Sequence, residues 1–161
     1  SVNKLYRSGF ELGTHSYNHG DYAKMSADEI KADMEKCDAI IQRITGEKPT
    51  IVRAPSGSYN NTAVRTVENS GRMCIQWSVD GLDYIETTTN EIYNRVVPQT
   101  EAGDIILLHN GTKLTAKVLP DIIKNLKNNY ELVNVSDLIY KENYKIDHAG
   151  RQYKKEEVSQ L

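Results

Sequence analysis

The sequence predicts one α/β domain built from parallel β/α units, arranged as an open sheet or a barrel. Three observations predict it. The chain has 161 residues, the length of a single domain with one sizeable core. Short apolar runs with strand character alternate with segments whose apolar residues recur at helical spacing. Side chains capable of chemistry then recur directly after the strand-like runs, which is where parallel α/β folds place their ligand sites.

The elements follow in order. Residues 1–7 read as the end of a helix, and residues 10–13, Phe-Glu-Leu-Gly, as a short strand. Residues 26–45 carry apolar side chains at helical spacing. Ser26 and Glu29 form a capping box at the start, and Gly46 with Pro49 closes the segment. Residues 50–53 make the next strand. A loop rich in Pro, Gly, Ser and Asn over residues 54–61 leads to a helix at 62–70 and a strand at 73–77. Asn90 is expected to cap a helix to about residue 97, residues 104–108 form a buried strand, 117–128 a helix and 131–135 a last strand. The domain is assigned to residues 1–140, and the polar residues 141–161 to a C-terminal tail that folds back or frays.

Composition excludes several function classes. Hydrophobic residues make up 39% and charged residues 26%, with a net charge of −2, so bulk attraction to nucleic acid or to an anionic membrane is not expected. The longest apolar run, Ile105-Ile106-Leu107-Leu108, is far short of a membrane span, and no signal segment opens the chain. The two cysteines, Cys37 and Cys74, form neither a disulfide framework nor a Cys-x-x-Cys zinc site. Cys37 falls in register with Ile30, Met34, Ile41 and Ile44, which makes it a buried free thiol. Ten of the twelve aromatic residues are Tyr, a usage that suits a wet groove.

Four strand ends converge on one rim. His15 and His19 follow the first strand, Arg53 and the Pro55-Ser56-Gly57 turn the second, Asp80 and Asp83 the third, and His109 the fourth. If residues 15–19 make one helical turn, the two imidazoles lie on one face and can share a metal ion. A catalytic zinc takes about three protein ligands, so a third is required, with Asp21, Asp80, Asp83 and His109 as candidates. Arg53 can orient a carboxylate through its fork of donors or simply sit on the surface. The turn after it offers backbone N–H groups to an oxyanion, and His109 beside a carboxylate such as Asp83 can act as a general acid.

These residues carry a resemblance. Gly13-Thr14-His15-Ser16-Tyr17-Asn18-His19 resembles the His-Ser/Thr-x-x-His motif of polysaccharide deacetylases of the NodB-homology type, carbohydrate esterase family 4. Arg53-Ala54-Pro55-Ser56-Gly57 resembles that family's Arg-x-Pro-x-Gly motif, Asp80-Gly81-Leu82-Asp83-Tyr84 its Asp-x-x-Asp-Trp motif, and Leu107-Leu108-His109 its Leu-x-His motif, all in family order. The resemblance implies a distorted (β/α) barrel and metal-dependent removal of acetyl groups from an N-acetylated sugar polymer. His15 and His19 would hold a divalent ion, usually Zn2+, and the Ser56 N–H would support the oxyanion. His109 would protonate the leaving amine with Asp83 as its orienting partner. Tyr84, where the family commonly has Trp, would line the acetyl pocket with Leu107, and Arg53 would steady the catalytic aspartate.

The aspartate itself has no counterpart here. The family's Thr-Phe-Asp-Asp segment supplies the catalytic base and the third metal ligand ahead of the His motif. Fourteen residues precede His15, Glu11 is the one acidic residue among them, and no Asp-Asp pair occurs anywhere in the chain. The chain is a piece of a longer deacetylase lacking the first strand or two, is completed by another chain, or is a degenerate, inactive member. The first reading is favoured because residues 1–7 resemble the middle of a helix and because Arg53, Asp83 and His109 survive. The chain alone is then expected to be inactive. The competing functions are a non-catalytic carbohydrate-binding protein and a metal-regulated structural domain. The expected partner is an acetylated polysaccharide: peptidoglycan first, because residues 144–151 resemble Gram-positive cell-wall deacetylases, then chitin-type oligomers and acetylated xylan. The family implies an extracellular or cell-envelope location.

Overall fold

The computed structural model describes residues 2–85 and 88–155. Helix α1, Val2–Arg7, ends where Gly9 turns into the left-handed region at φ 85°, with Ser8, Gly9 and Phe10 donating back to its last carbonyls. Helix α2, Ala27–Thr45, starts at the reciprocal Ser26–Glu29 capping box and stops at left-handed Gly46, as its sequence specifies. Strand β1, Ile51–Val52, and helix α3, Asn61–Asn69, come next, the helix capped by the Asn60 side chain on the Ala63 N–H. Strands β2, Met73–Cys74, and β3, Val79–Asp80, precede helix α4, Thr89–Val96. Strand β4, Ile106–Leu107, then leads to helix α5, Lys113–Leu126. A single turn, α6, Val135–Leu138, and a hairpin of β5, Tyr144–Ile146, with β6, Gln152–Lys154, follow.

The regular ladders are short and parallel. β1 pairs with β2, Ile51 opposite Met73 and Val52 opposite Cys74, and Thr14 bridges Val52 in the same sense. β3 pairs with β4, Val79 opposite Ile106 and Asp80 opposite Leu107. Parallel pairing aligns the strand ends, so whatever follows Thr14, β1, β3 and β4 emerges on one rim. Two apolar cores fix these pairs. Tyr22, Ile30, Met34, Val52, Ala63 and Val67 join α2 and α3 to β1, while Val79, Ile92, Val96, Val118, Ile122 and Leu126 join α4 and α5 to β3. Each fully buried side chain of this kind contributes about 1.5–3 kcal/mol over its exposed state. The α/β architecture agrees with the predicted class.

Five expectations are corrected. Residues 10–13 form no ladder: Phe10 is exposed, and Glu11 is tied by its N–H to the Asn134 side chain and by its carboxylate to the Ser136 N–H. Residues 131–135 form no strand among the described residues, because Val135 begins α6 instead and Leu132 and Val133 stand 45% and 47% exposed. Helix α5 begins one turn before residue 117, since Thr112 caps the Thr115 N–H. The α4 cap is Thr88, whose box with Glu91 satisfies the first turn, rather than Asn90. The buried stripe of α2 is not purely apolar: Cys37 is a half-buried free thiol and Ile44 is exposed, while Asp33 and Asp38 are buried beside Ile30 and Met34.

Asp38 shows how a buried charge is tolerated. Its carboxylate accepts from Arg72 Nη1 at 2.6 Å and from Thr14 Oγ1 at 2.5 Å, which ties α2 to the segment that enters the rim. The tail assigned to residues 141–161 is a hairpin over its described part, held by Asp147 accepting from the N–H groups of Ala149 and Arg151; residues 156–161 lie outside the described residues.

Candidate active site

Backbone pairing places the first two groups. Thr14 N donates to Ile51 O and Arg53 N donates to Thr14 O, both at 2.9 Å, so His15 and Arg53 leave adjacent strands side by side. Gly13 permits this approach, since a Cβ there would lie 2.9 Å from Ile51 Cγ1. His15 Nδ1 sits 2.8 Å from Arg53 O. A carbonyl can only accept, so Nδ1 carries the proton and Nε2 offers its lone pair to the rim. Burial, the largest influence, lowers the His15 pKa, and the nearby Arg53, His19 and His109 act in the same direction against the hydrogen bond to Arg53 O. The neutral imidazole, the form that binds metal, is therefore favoured.

Residues 15–19 are not a helical turn. Ser16 at φ 66° and His19 at φ 55° are both left-handed, a conformation costing about 1–3 kcal/mol per non-glycine residue and sustained only where surroundings dictate it. The loop nevertheless brings the two imidazoles together, edge to face with centroids 5.1 Å apart. What dictates it is Asp33 of α2, which accepts from Tyr17 N at 3.2 and 3.1 Å, from Asn18 N at 3.4 Å and from Tyr22 Oη at 2.9 Å. Burial, the largest influence, raises the Asp33 pKa, yet the hydrogen bonds together hold it below the ordinary carboxylate value. Burial and this carboxylate push the Tyr22 phenol well up, so it remains a donor.

Arg53 lies half-buried beneath the second motif, its guanidinium carbon 5.8 Å from the Trp77 ring centroid. The turn that follows is set by left-handed Ser56, φ 53°, and Gly57, φ 62°, with Gly57 N donating to Ala54 O and Ser58 N to Pro55 O. Gly57 is required here, because a Cβ would meet Trp77 Cη2 at 2.7 Å. Ser58 Oγ donates to Asp21 at 2.5 Å, fastening the turn to the far end of the histidine loop.

The proton-handling pair is the most completely held. Asp83, 3% exposed, accepts from His109 N at 2.7 Å on one oxygen and from His109 Nδ1 at 2.8 Å on the other. Thr115 of α5 donates to the same carboxylate at 2.5 Å. Burial, the largest influence, raises the Asp83 pKa, but Thr115 and His109 outweigh it and hold the carboxyl below its ordinary value. An ionised Asp83 leaves His109 Nε2 as the nitrogen available to a ligand. Tyr84 packs edge-on against His109 with centroids 4.9 Å apart and is 59% exposed, while Leu107 is buried in β4.

The candidate third ligands are otherwise engaged. Asp21 caps a short 3-10 turn at Tyr22–Lys24 and pairs with Lys24 at 3.0 Å. Asp80 accepts from Leu82 N at 2.9 Å, and Asp83 is held by His109 and Thr115. Among the described residues, no group of three or more His, Cys, Asp or Glu is arranged to hold a metal ion. The two imidazoles fit a divalent ion in donor chemistry and spacing, and they supply two of the three ligands a catalytic zinc site uses. Sequence reasoning missed Asp33 and Thr115. Their signals were a polar residue on the buried face of α2 and a Thr three positions after a helix cap.

A family model for polysaccharide deacetylase matches residues 1–75. The chain is 31% identical over 130 residues to the peptidoglycan-N-acetylglucosamine deacetylase of Bacillus cereus, covering 78% of this chain and 47% of that protein. The structure of the peptidoglycan deacetylase PdaC from Bacillus subtilis is similar at a TM-score of 0.77 and 30% identity, over 85% of this chain and 67% of that one. A CE4 family pseudoenzyme from Bacillus anthracis is similar at a TM-score of 0.80 and 28% identity, over 85% of this chain and 49% of that one. The chain spans about half the length of the curated relatives it matches.

Proposed function

Because the chain belongs to the polysaccharide deacetylase family, carbohydrate esterase family 4, we propose that its rim serves metal-dependent hydrolysis of the acetamide of N-acetylglucosamine units in peptidoglycan. The observation that carries this reading is the pair of preset histidine arrangements on one rim: His15 with His19, and His109 with Asp83. His15 and His19 would hold a divalent ion, most simply Zn2+, which when bound supplies Lewis-acid polarisation of the acetamide carbonyl and an acidified water.

The chain's own residues do the rest. Asp83 keeps His109 oriented, so that Nε2 can deliver a proton to the leaving amine nitrogen. The Ser56 N–H, presented by the left-handed turn, would donate to the developing oxyanion. Leu107 and Tyr84 would border the acetyl methyl, and Arg53 would hold the carboxylate of the catalytic base. The sequence contains no Asp-Asp pair to supply that base and a third ligand. Residues 1–161 alone are therefore expected to release little or no acetate. A cell-wall substrate places the site of action outside the membrane or in the envelope, and no helix among the described residues is long and apolar enough to cross a membrane.

The absent Asp-Asp pair and the pseudoenzyme neighbour favour one second reading, a carbohydrate-binding protein that uses the same groove without chemistry. Acetate release from peptidoglycan and chitooligosaccharide, measured on the gene's complete product and on residues 1–161, separates the two. Release by the complete product, lost on His109→Ala, supports the enzyme; saturable sugar binding without release supports the binder.

A further inference from the structure

His15 and His19 would be aligned by helical periodicity if residues 15–19 were a turn of helix, but Ser16 and His19 are left-handed and no such turn exists. The alignment is imposed from outside the loop. Asp33 projects from the buried face of α2 between Ile30 and Met34, is 7% exposed, and receives the consecutive N–H groups of Tyr17 and Asn18, which lie between the two histidines in sequence. Tyr22 Oη, itself fully buried, fixes the second oxygen of the same carboxylate. The loop closes on itself through Gly20 N donating to Ser16 Oγ at 3.1 Å. The far side of the loop, at His15, is pinned independently by Arg53 O. A carboxylate offers four lone-pair directions and no donor, so it alone can gather two amides and a phenol without leaving one unmet. An amide side chain would turn its NH2 against them.

We propose that Asp33 is the positioning residue of the histidine pair: its carboxylate holds the left-handed loop in the conformation that presents both imidazoles to one divalent ion before the ion arrives. This rests on the reading of His15 and His19 as metal ligands. Asp33 touches neither imidazole in this arrangement and acts through the backbone between them. Outer partners of this kind typically change metal affinity by 10–100-fold when removed.

The test uses residues 1–161, a zinc titration followed by NMR at the side chains of His15 and His19, and amide hydrogen exchange at Tyr17 and Asn18. In the parent chain zinc shifts both histidine signals. Asp33→Asn retains the α2 caps and core, exchanges the Tyr17 and Asn18 amides faster, and requires about 10–100-fold more zinc for the same shifts. Faster exchange with unchanged zinc affinity makes Asp33 a structural residue only and overturns the proposal. If Asp33→Asn does not fold, Tyr22→Phe decides, since it frees one carboxylate oxygen without removing the charge; faster exchange with unaltered zinc affinity again overturns it. A parent chain in which zinc leaves both histidines unshifted defeats the metal reading itself, and the positioning role falls with it.

Discussion

Asp83 is gripped twice by one residue: His109 donates its backbone N–H to one oxygen at 2.7 Å and its Nδ1 proton to the other at 2.8 Å. This two-point hold fixes the imidazole plane as well as its tautomer. Rotation about either bond alone would break the other. Thr115 adds a third donor from a different element, so the pair is set by α5 as well as by the strand end. In a complete deacetylase, His109→Ala should lower turnover by about 10²–10⁴, the usual share of general acid catalysis, and leave the bound metal unchanged. Metal analysis beside steady-state rates checks this. Loss of metal in the variant would reassign His109 as a ligand.

Zinc should bind residues 1–161 weakly, because two imidazoles are fewer than the three protein ligands of a catalytic site. His15→Ala should abolish what binding there is. Isothermal titration with zinc and an acetate assay on chitooligosaccharide test both statements. Tight stoichiometric zinc with clear acetate release would contradict them.

Acid should destabilise the fold. Asp83 and Asp33 are both raised by burial and more strongly lowered by hydrogen bonds, so their folded-state pKa values lie below the unfolded value of about 3.9. The stability they contribute is fully present above that value and is lost as pH falls through the folded-state values. Thermal midpoints should hold steady from neutral pH to about pH 5 and then drop towards pH 3. Equal midpoints at pH 7 and pH 3 would exclude this linkage.

Removing half of the buried ion pair should be costly. Arg72 and Asp38 side chains are 8% and 1% exposed and 2.6 Å apart, so Asp38→Ala strands a guanidinium inside the protein. Urea unfolding should show a loss of about 3–5 kcal/mol. A loss below about 1 kcal/mol would mean that Arg72 reaches water when its partner is gone.

Gly57→Ala should destabilise by about 1–3 kcal/mol, since the residue is left-handed at φ 62° and its new Cβ would meet Trp77 Cη2 at 2.7 Å. Urea midpoints measure the cost, and Trp77 fluorescence should shift with it. An unchanged midpoint and spectrum would show that the turn re-forms without strain.

Much of this protein is legible one residue at a time. The Ser26–Glu29 box, Gly46 and the helical spacing between them specify α2, because caps and periodicity are local and act within a turn or two of chain. The convergence of His15, Arg53, Asp83 and His109 also follows from sequence, since parallel β/α order sends each strand end to the same rim. Where partners are distant in the chain, sequence reading fails. Residues 131–135 have strand composition yet form no ladder, because a strand is defined by its neighbour and not by its own side chains.

The histidine loop marks the boundary most clearly. The sequence by itself determined that two imidazoles stand four residues apart, with an acidic residue on the next helix. Only the tertiary structure decided that those imidazoles meet on a left-handed loop and that Asp33 is buried to hold it. The physical reason is that φ at Ser16 and His19 is set against local preference. Only hydrogen bonds from a separate helix, formed after packing of the core around Ile30 and Met34, can outweigh that preference.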